Sequence, residues 1–355
     1  MSQLIRKGSV VAGSVGELSL ASNVLFGFGP NGRLLTAVKT AGGDLKLIDW
    51  FVKNDGSEIT RGKDASGGPA DQIAAGFSHE QLVVVMRDSA GHLRLKSWTS
   101  DLVLQDNAVA GSARGFALLC FLPKNGVFSV VVTAMCDDAG NLKLIAWQLG
   151  ADGSLTRGGD ASLGPVLEIT IAESNFSPLR AVVAARTAAG DLQLSEWHIS
   201  DDASQISLLG QASAGAVSHL SSATYGSALV TSFRNGSGNL ELIAWEVAAG
   251  TFTRGGTAVA GGVSAVASAF SSFAAKDLVL TVAVRDSQGN LELIDWHLSG
   301  SGPQVFTRGA KAQAGAIGQV GLVLAWNQGT PNQNIVVTAV KNASADLELI
   351  AWQRA

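Results

Sequence analysis

The chain is poor in charge, aromatic rings and long apolar runs. Charged residues make up only 15% of its 355 residues, aromatic residues 6%, and the formal net charge is -4. A nucleic-acid-binding protein usually presents a basic face, so this balance argues against one. No apolar run reaches the ~18 residues that cross a membrane as a helix, and the first eight residues lack the apolar segment of a secretory signal. We expect a cytoplasmic protein, or one released without a classical signal peptide.

Cysteine is also scarce, with only Cys120 and Cys136 in the chain. The first should end one strand and the second should end the next, antiparallel strand. This arrangement places the two thiols at opposite ends of a hairpin, too far apart for a disulfide. We predict two buried thiols, which fits a reducing compartment.

A short phrase recurs throughout the chain and ends each time in tryptophan. Its clearest copy runs from Arg285 to Trp296, and the spacings between successive tryptophans are 48, 49, 50, 48, 51 and 56 residues. We name each repeat by its tryptophan: Trp50, Trp98, Trp147, Trp197, Trp245, Trp296 and Trp352. A fixed period near fifty residues indicates an architecture in which each unit buries its faces against its neighbours.

One period, residues 261–308, predicts four strands. Residues 261–270 are small and β-branched, and residues 278–285 are almost wholly apolar, as in a strand that is buried on both faces. A turn rich in Asp, Ser, Gly and Asn precedes the third strand, residues 291–298. The fourth strand, residues 304–309, has the polar content of an outer edge. Four antiparallel strands in each of seven repeats predict an all-β, single-domain, seven-bladed β-propeller.

The two ends of the chain are expected to meet. The last repeat stops soon after Trp352 and lacks a fourth strand, whereas the segment Leu4-Ile5-Arg6-Lys7-Gly8 resembles the fourth strands of other repeats. We therefore predict that residues 3–10 complete the last blade and close the ring without a free sheet edge. The blades should start near residues 14, 69, 112, 165, 216, 262 and 316.

The tryptophans of the repeats are expected to be structural. Each lies on an apolar strand at a shared position, where it would fill the gap between adjacent sheets. An eighth tryptophan, Trp326, lies in a long polar loop of residues 325–334. We consider it a candidate ligand or partner contact, although it could also fold back over its own blade.

A column of basic residues stands eleven positions before the tryptophans and ends the second strands. Its members are Lys39, Arg87, Arg186, Arg234, Arg285 and Lys341, with Cys136 in the remaining repeat. These side chains should ring one face of the disc. They could form local ion pairs or bind turn carbonyls, or they could be equivalent sites for a hydroxylated or anionic ligand.

A second basic column lies in the fourth strands and should serve structure. Acidic residues stand one or four positions before the tryptophan in most of the same repeats, so cross-strand ion pairs are expected. The arginines are Arg6, Arg61, Arg157, Arg254 and Arg308, and the acids are Glu348, Asp49, Glu241, Glu292 and Asp295.

A third column, near the start of the first strands, contains Glu17, Glu168 and His219. If first strands line a central channel, these groups could bind a divalent metal or act as general acid and base. A polar channel without a ligand is the alternative. The chain has no Gly-x-Ser-x-Gly elbow, phosphate-binding glycine loop, His-Glu-x-x-His or Cys-x-x-Cys, and we expect no cofactor.

The repeat resembles a known family in its layout. Gly261-Gly262-Val263-Ser264, an apolar strand ending in Arg285 and the phrase that ends in Trp296 are similar to the repeat of bacterial seven-bladed propeller lectins of the PLL-like group and, more loosely, to tectonin-type repeats. The resemblance covers the whole chain. It implies several equivalent sugar sites, on or between the blades, and binding without catalysis.

Together these features predict a non-enzymatic, multivalent carbohydrate-binding protein, whose weak sites would act by avidity. The predicted ligand contacts are the basic column and Trp326. One alternative is an enzyme with a single site in the central channel at Glu17, Glu168 and His219. The other is a protein-interaction scaffold that uses Trp326.

Overall fold

The computed structural model describes residues 3–22, 31–78, 81–121, 128–175, 179–270, 278–299, 304–325 and 335–354. Within these ranges the regular elements are all β-strands. None of the described residues belongs to a helix that is long and apolar enough to cross a membrane. The strands are β1 (Leu4–Ser22), β2 (Asn31–Thr40), β3 (Asp44–Lys53), β4 (Ile59–Pro69), β5 (Gln72–Ser78), β6 (Gln81–Arg87), β7 (His92–Thr99), β8 (Leu104–Ser112), β9 (Gly115–Cys120), β10 (Phe128–Cys136), β11 (Asn141–Gly150), β12 (Leu155–Asn175), β13 (Arg180–Thr187), β14 (Asp191–Ile199), β15 (Ile206–Tyr225), β16 (Ala228–Asn235), β17 (Asn239–Ala248), β18 (Thr251–Phe270), β19 (Leu278–Asp286), β20 (Asn290–Ser299), β21 (Val305–Ala325), β22 (Ile335–Asn342) and β23 (Asp346–Arg354).

Strand pairing follows one antiparallel plan along the chain. In the Trp296 repeat, the second half of β18 pairs with β19, β19 pairs with β20, and β20 pairs with the first half of β21. The second half of β21 then pairs with β22 and opens the next repeat. The strands β12 and β15 also serve two repeats each. The predicted order of four antiparallel strands in this period is confirmed.

The fourth strand of one repeat and the first strand of the next form a single long strand. The sequence predicts that a new strand begins at Gly261, but β18 runs without a break from Thr251 to Phe270. Register shifts interrupt its pairing with β17, and another lies between Val263 and Ala265 in its pairing with β19. Bulges of this kind bend a strand, which lets one strand leave one sheet edge and enter the next.

The N-terminal strand pairs with the last strand of the chain. Residues Leu4 to Ser14 of β1 run antiparallel to Arg354 to Asp346 of β23. The rest of β1 pairs with β2 in the Trp50 repeat. The first strand therefore connects the first repeat with the last.

Tryptophans fill the spaces between neighbouring repeats. Those that end the repeated phrase are at most 4% exposed. Trp197 shares an apolar cluster with Val130 and Leu142 of the preceding repeat, and Trp50 shares one with Val337 and Leu349. The structural interpretation of these residues is confirmed, because each packs across a junction between repeats.

Both cysteines are free thiols, as predicted. Cys120 pairs with Val131 near the start of β10, whereas Cys136 ends that strand opposite Gly115. Cys136 is buried and Cys120 is half-buried. The two thiols lie at opposite ends of the hairpin, so no disulfide joins them.

Candidate functional site

Two members of the basic column reach backbone carbonyls of the following repeat. Arg285 donates from Nε to the carbonyl of Ile317 at 2.6 Å, and Lys341 donates from Nζ to that of Gly16 at 3.4 Å. Both acceptors lie at a bulge of a first strand, where the ladder is interrupted. These basic side chains therefore join neighbouring repeats.

Lys39 and Arg87 converge on one carboxylate. Lys39 Nζ lies 3.1 Å from Asp71 Oδ1, and Arg87 Nε lies 3.0 Å from Asp71 Oδ2. Arg87 also donates to the carbonyl of Arg114 in the following repeat, at 2.9 Å. The two cations hold the pKa of the Asp71 carboxyl below its usual range, chiefly through the hydrogen bond from Arg87. This cluster is a charged junction of three consecutive repeats.

The two remaining members of the basic column, Arg186 and Arg234, have hydrogen-bond donors without a described partner. The Nε of Arg186 is buried and has no partner among the described residues. Within the same ranges, no hydrogen bond or ion pair of the Arg234 guanidinium is found. Trp326 lies outside the described residues. Of the predicted ligand contacts, Arg186 and Arg234 thus keep uncommitted donor groups.

We call the column of Glu17, Glu168 and His219 the channel column. Its two acids are cross-strand neighbours of the basic column. Glu17 stands directly opposite Lys39, and Glu168 stands opposite Arg186. Glu168 accepts hydrogen bonds from the backbone amides of His219 at 3.0 Å and Leu220 at 2.6 Å. The structure brings Glu168 and His219 together through the His219 backbone, which has a left-handed φ of 51°.

Glu17 holds the position of Glu168 in the Trp50 repeat. Burial raises the pKa of its carboxyl to about 6, and the backbone amide of Ile73 and the Lys39 ammonium oppose that shift. No hydrogen bond or ion pair of the described residues joins Glu17 to Glu168 or His219. The same residues contain no group of three His, Cys, Asp or Glu side chains arranged to hold a metal.

Side chains of the fourth-strand arginines reveal which ion pairs form. Arg6 pairs with Glu348 at 2.9 Å and Arg308 with Glu292 at 3.6 Å, as predicted. Arg61 instead pairs with Asp64, so the predicted pairing with Asp49 was wrong. Arg61 lies opposite Trp50 and shares its face of the sheet. The residue next to Trp50 points to the other face, because side chains alternate along a strand.

Arg254 differs from the other four arginines of this column. Arg6, Arg61, Arg157 and Arg308 each have a carboxylate partner, at 2.9, 2.6, 3.3 and 3.6 Å. Arg254 has no ion pair with any described residue, and its guanidinium carbon lies 5.9 Å from the centre of the Trp245 ring. The predicted pairing of Arg254 with Glu241 was therefore wrong.

A cavity of about 240 Å³ opens beside this unpaired arginine. Its apolar lining includes Phe233 and Ile243, both buried, and its polar lining includes Glu241 and Arg254. Glu241 Oε2 accepts a hydrogen bond from Asn235 Nδ2 at 3.0 Å. Its Oε1 has no donor among the described residues. The full lining comprises Gly215, Ala216, Phe233, Asn235, Gly236, Ser237, Glu241, Ile243 and Arg254.

We call this cavity the Trp245 cleft, after its repeat. Its lining includes an unpaired carboxylate oxygen of Glu241, the unpaired guanidinium of Arg254 and the aromatic ring of Phe233. The two charged groups can accept one hydrogen bond from a hydroxylated molecule and donate others to it, and the ring offers an apolar surface. The volume lies below that of drug-sized pockets, which suits a ligand of about one sugar ring.

An isolated carboxyl on the first strand of the Trp197 repeat gives a pH-dependent prediction. Glu173 is half-buried and has no described partner, and burial raises the pKa of its carboxyl from 4.5 to about 7. The folded state therefore binds this proton more tightly than the unfolded state. The resulting stability is complete below pH 4.5 and is lost as the pH rises through 7.

Glu173→Gln should remove that dependence. At pH 8 the variant's free energy of unfolding should exceed that of the wild type by on the order of 2 kcal/mol, and the difference should vanish near pH 4.5. Urea unfolding of both proteins at the two pH values measures it. Equal stabilities at pH 8 would contradict the burial of an uncompensated carboxylate.

Comparisons with known proteins bear on the fold. No protein-family model matches the chain. A structure of SapL1 lectin in complex with α-methyl fucoside is similar with a TM-score of 0.52 at 16% identity, over 86% of this chain and 97% of that one. A triple arginine-to-alanine mutant of AofleA from Arthrobotrys oligospora gives a TM-score of 0.51 at 12% identity, over 87% of this chain and 92% of that one.

A match to a curated protein is short. The mitochondrial arginine biosynthesis bifunctional protein ArgJ of Heterostelium pallidum is 30% identical over 27% of this chain. The matched stretch spans about a quarter (26%) of that protein's length, so no activity is carried over. The structural likenesses, together with the strand pairing, assign the chain a β-propeller-like fold.

Proposed function

We propose that this chain is a non-enzymatic carbohydrate-binding protein, built as a seven-bladed β-propeller that its N-terminal strand closes. The pairing of β1 with β23 supports closure of the ring. So does the apolar cluster that Trp50 forms with Val337 and Leu349 of the last repeat. A closed ring gives every inter-repeat cleft a fixed shape, which is what a rigid binding surface requires.

The observation that carries the proposal is the Trp245 cleft. Among the described arginines of the fourth-strand column, Arg254 is the one without a carboxylate partner. Glu241, which lines the same cavity, keeps one oxygen without a hydrogen-bond donor. Leaving a carboxylate and a guanidinium apart in one cavity forgoes their mutual attraction. A polyol restores the lost hydrogen bonds, because each hydroxyl both donates and accepts.

The fold neighbours suggest which molecules to try first. SapL1 is described as a lectin and was solved with α-methyl fucoside. A single pyranose ring is also the size of ligand that the cleft volume suits. We therefore propose neutral monosaccharides, free or at the end of a glycan, as the ligand class.

Several equal sites, expected from the repeats, remain a prediction. The same holds for ligand binding by Lys39, Arg87, Arg186, Arg234, Arg285 and Lys341. The contacts of Lys39, Arg87, Arg285 and Lys341 with the next repeat favour a joining role for these four. Arg186 and Arg234 are the members of the column best placed to bind a ligand.

Substitution of the cleft residues tests the proposal. A glycan array identifies bound sugars, and calorimetric titration with the corresponding methyl glycoside gives the affinity. Arg254→Lys keeps the charge but loses the planar fork, and Glu241→Gln loses the acceptor charge. Each should weaken binding at least tenfold, or about 1.4 kcal/mol.

Arg61→Lys is the matched control, because Arg61 occupies the same column but pairs with Asp64. It should leave the affinity unchanged. A blank array with the folded wild-type protein would overturn the carbohydrate proposal. Equal losses in the Arg61 and Arg254 variants would overturn the assignment of the site to the Trp245 cleft.

A further inference from the structure

The Trp296 repeat contains the acid and the arginine of the Trp245 cleft. Its third strand carries Glu292 four residues before Trp296, and Arg308 lies opposite that tryptophan. In the Trp245 repeat, Glu241 and Arg254 hold the corresponding positions opposite Val259 and Trp245. Both arginines lie 5.9 Å from the ring of their tryptophan. The two repeats differ opposite the acid, where Phe233 faces Glu241 and Val284 faces Glu292.

In the Trp296 repeat, side chains of the chain itself occupy both oxygens of the Glu292 carboxylate. Lys311 Nζ lies 2.9 Å from Glu292 Oε1, and Gln313 Nε2 donates to Glu292 Oε2 at 3.2 Å. Arg308 also forms an ion pair with Glu292 Oε1, at the longer distance of 3.6 Å. The register partners at the same positions of the Trp245 repeat are Thr257 and Val259, and neither donates to Glu241.

From this comparison, and resting on the proposed function, we infer that the cleft of the Trp296 repeat is a second carbohydrate site that Lys311 and Gln313 hold closed. Their two donors take the place of the adjacent hydroxyls that a sugar presents to Glu241. The ligand chemistry that follows is a vicinal diol, with one hydroxyl donating to the carboxylate and a neighbouring oxygen accepting from arginine. On this inference the sites that the repeats lead one to expect as equal are unequal, because the chain's own side chains decide which are open.

The Trp352 repeat gives independent support for closure by the chain's own side chains. Glu348 and Arg6 hold the positions of Glu241 and Arg254 in this repeat, and they form an ion pair at 2.9 Å. Val340 stands opposite Glu348, whereas the larger Phe233 stands opposite Glu241. Valine also stands opposite the acid in the Trp296 repeat, so among these three repeats the acid and the arginine stay apart where Phe233 is present.

A triple substitution tests the inference by opening the closed cleft. Lys311→Thr and Gln313→Val, together with Val284→Phe, give the Trp296 repeat the residues of the Trp245 repeat at these three positions. Crystals of both proteins are soaked with a panel of methyl glycosides that includes α-methyl fucoside, and calorimetry counts the sites. We expect sugar in the Trp245 cleft of the wild type, sugar in both clefts of the variant, and an increase from one site to two.

A substitution that should close the Trp245 cleft tests the same inference without relying on the folding of the first variant. Phe233→Val should allow Arg254 to pair with Glu241, as Arg6 pairs with Glu348, and should weaken binding at the Trp245 cleft at least tenfold. Unchanged binding in this variant would count against closure by internal ion pairs.

The outcomes separate the two proposals. Sugar in both clefts of the wild type would overturn the closed site and leave carbohydrate binding intact. A folded triple variant with no sugar near Trp296 would also overturn it. Sugar in neither cleft of the wild type would overturn the proposed function, and the closed site with it.

Discussion

Asp295→Ala should lower the free energy of unfolding by about 3–5 kcal/mol, the usual loss when one partner of a buried ion pair is removed. Asp295 is fully buried and accepts hydrogen bonds from Arg354 Nε at 2.8 Å and Nη2 at 3.0 Å. Thr281 donates to the same carboxylate at 2.7 Å. The substitution leaves the Arg354 guanidinium without this carboxylate in a site that is 11% exposed.

This ion pair also joins two repeats, which increases its importance. Asp295 belongs to β20 of the Trp296 repeat and Arg354 to β23 of the Trp352 repeat. Each repeat buries its apolar face only against its neighbours, so a weakened junction exposes both sides. The loss should therefore appear in cooperative unfolding of the whole chain, which urea titration followed by tryptophan fluorescence measures.

Two further variants distinguish the buried charge from a general effect. Glu58→Ala breaks an ion pair with Lys53 in which both side chains are 56% exposed, and should cost no more than about 1 kcal/mol. Replacing both partners, with Asp295→Leu and Arg354→Met, removes the buried charges together and should recover most of the loss. A loss below 1 kcal/mol in Asp295→Ala would show that the charge is not effectively buried.

Much of the fold could be predicted because local chemistry repeats. An apolar strand, an Asx-type turn and a strand that ends in Trp recur at a fixed period, and the predicted strand 278–285 differs from β19 only at its last residue. The junction between repeats was harder to predict. The sequence predicts that a new strand begins at residue 261, whereas the observed β18 runs through this residue from Thr251 and bends at its bulges.

The basic column and the channel column could not be related from spacing alone. Glu168 and Arg186 are 18 residues apart in sequence, and only the antiparallel register places them opposite one another. A register slip of one residue would have put them on different faces. Their cross-strand proximity explains why the carboxylates bind backbone amides of the next repeat and why the basic side chains reach its carbonyls.

The Trp245 cleft was missed because sequence reasoning assumed that a neighbouring acid and arginine would pair. Glu241 and Glu292 each stand four residues before the tryptophan of their repeat, and each repeat has a fourth-strand arginine, so the pattern predicts the same ion pair in both repeats. The residues around the acid differ, with Phe233 and Thr257 in one repeat and Val284 and Lys311 in the other. A comparison of the repeats position by position, with the register in hand, would have marked these as the differing residues.

Removal of residues 1–12 should have the largest effect of all, because these residues form the part of β1 that pairs with β23 and would close the proposed ring. Leu4 to Ala12 supply nearly the whole ladder of β1 against β23. Leu4 packs in the cluster of Trp352, and Val10 and Ala12 pack against that of Trp50. Without them, β23 becomes an exposed edge with unpaired amides and carbonyls.

We expect the truncated chain to lose cooperative unfolding and the near-ultraviolet circular dichroism of its packed tryptophans. Val11→Ser is the matched control, because Val11 is 55% exposed on the same strand, and it should change stability by less than about 0.5 kcal/mol. A synthetic peptide of residues 1–13, added in excess, should restore the spectrum, since binding to the folded state shifts the equilibrium toward it. A truncated chain that unfolds at the wild-type urea concentration would mean that the pairing of residues 4–12 with β23 is dispensable and that side-chain packing between repeats is sufficient.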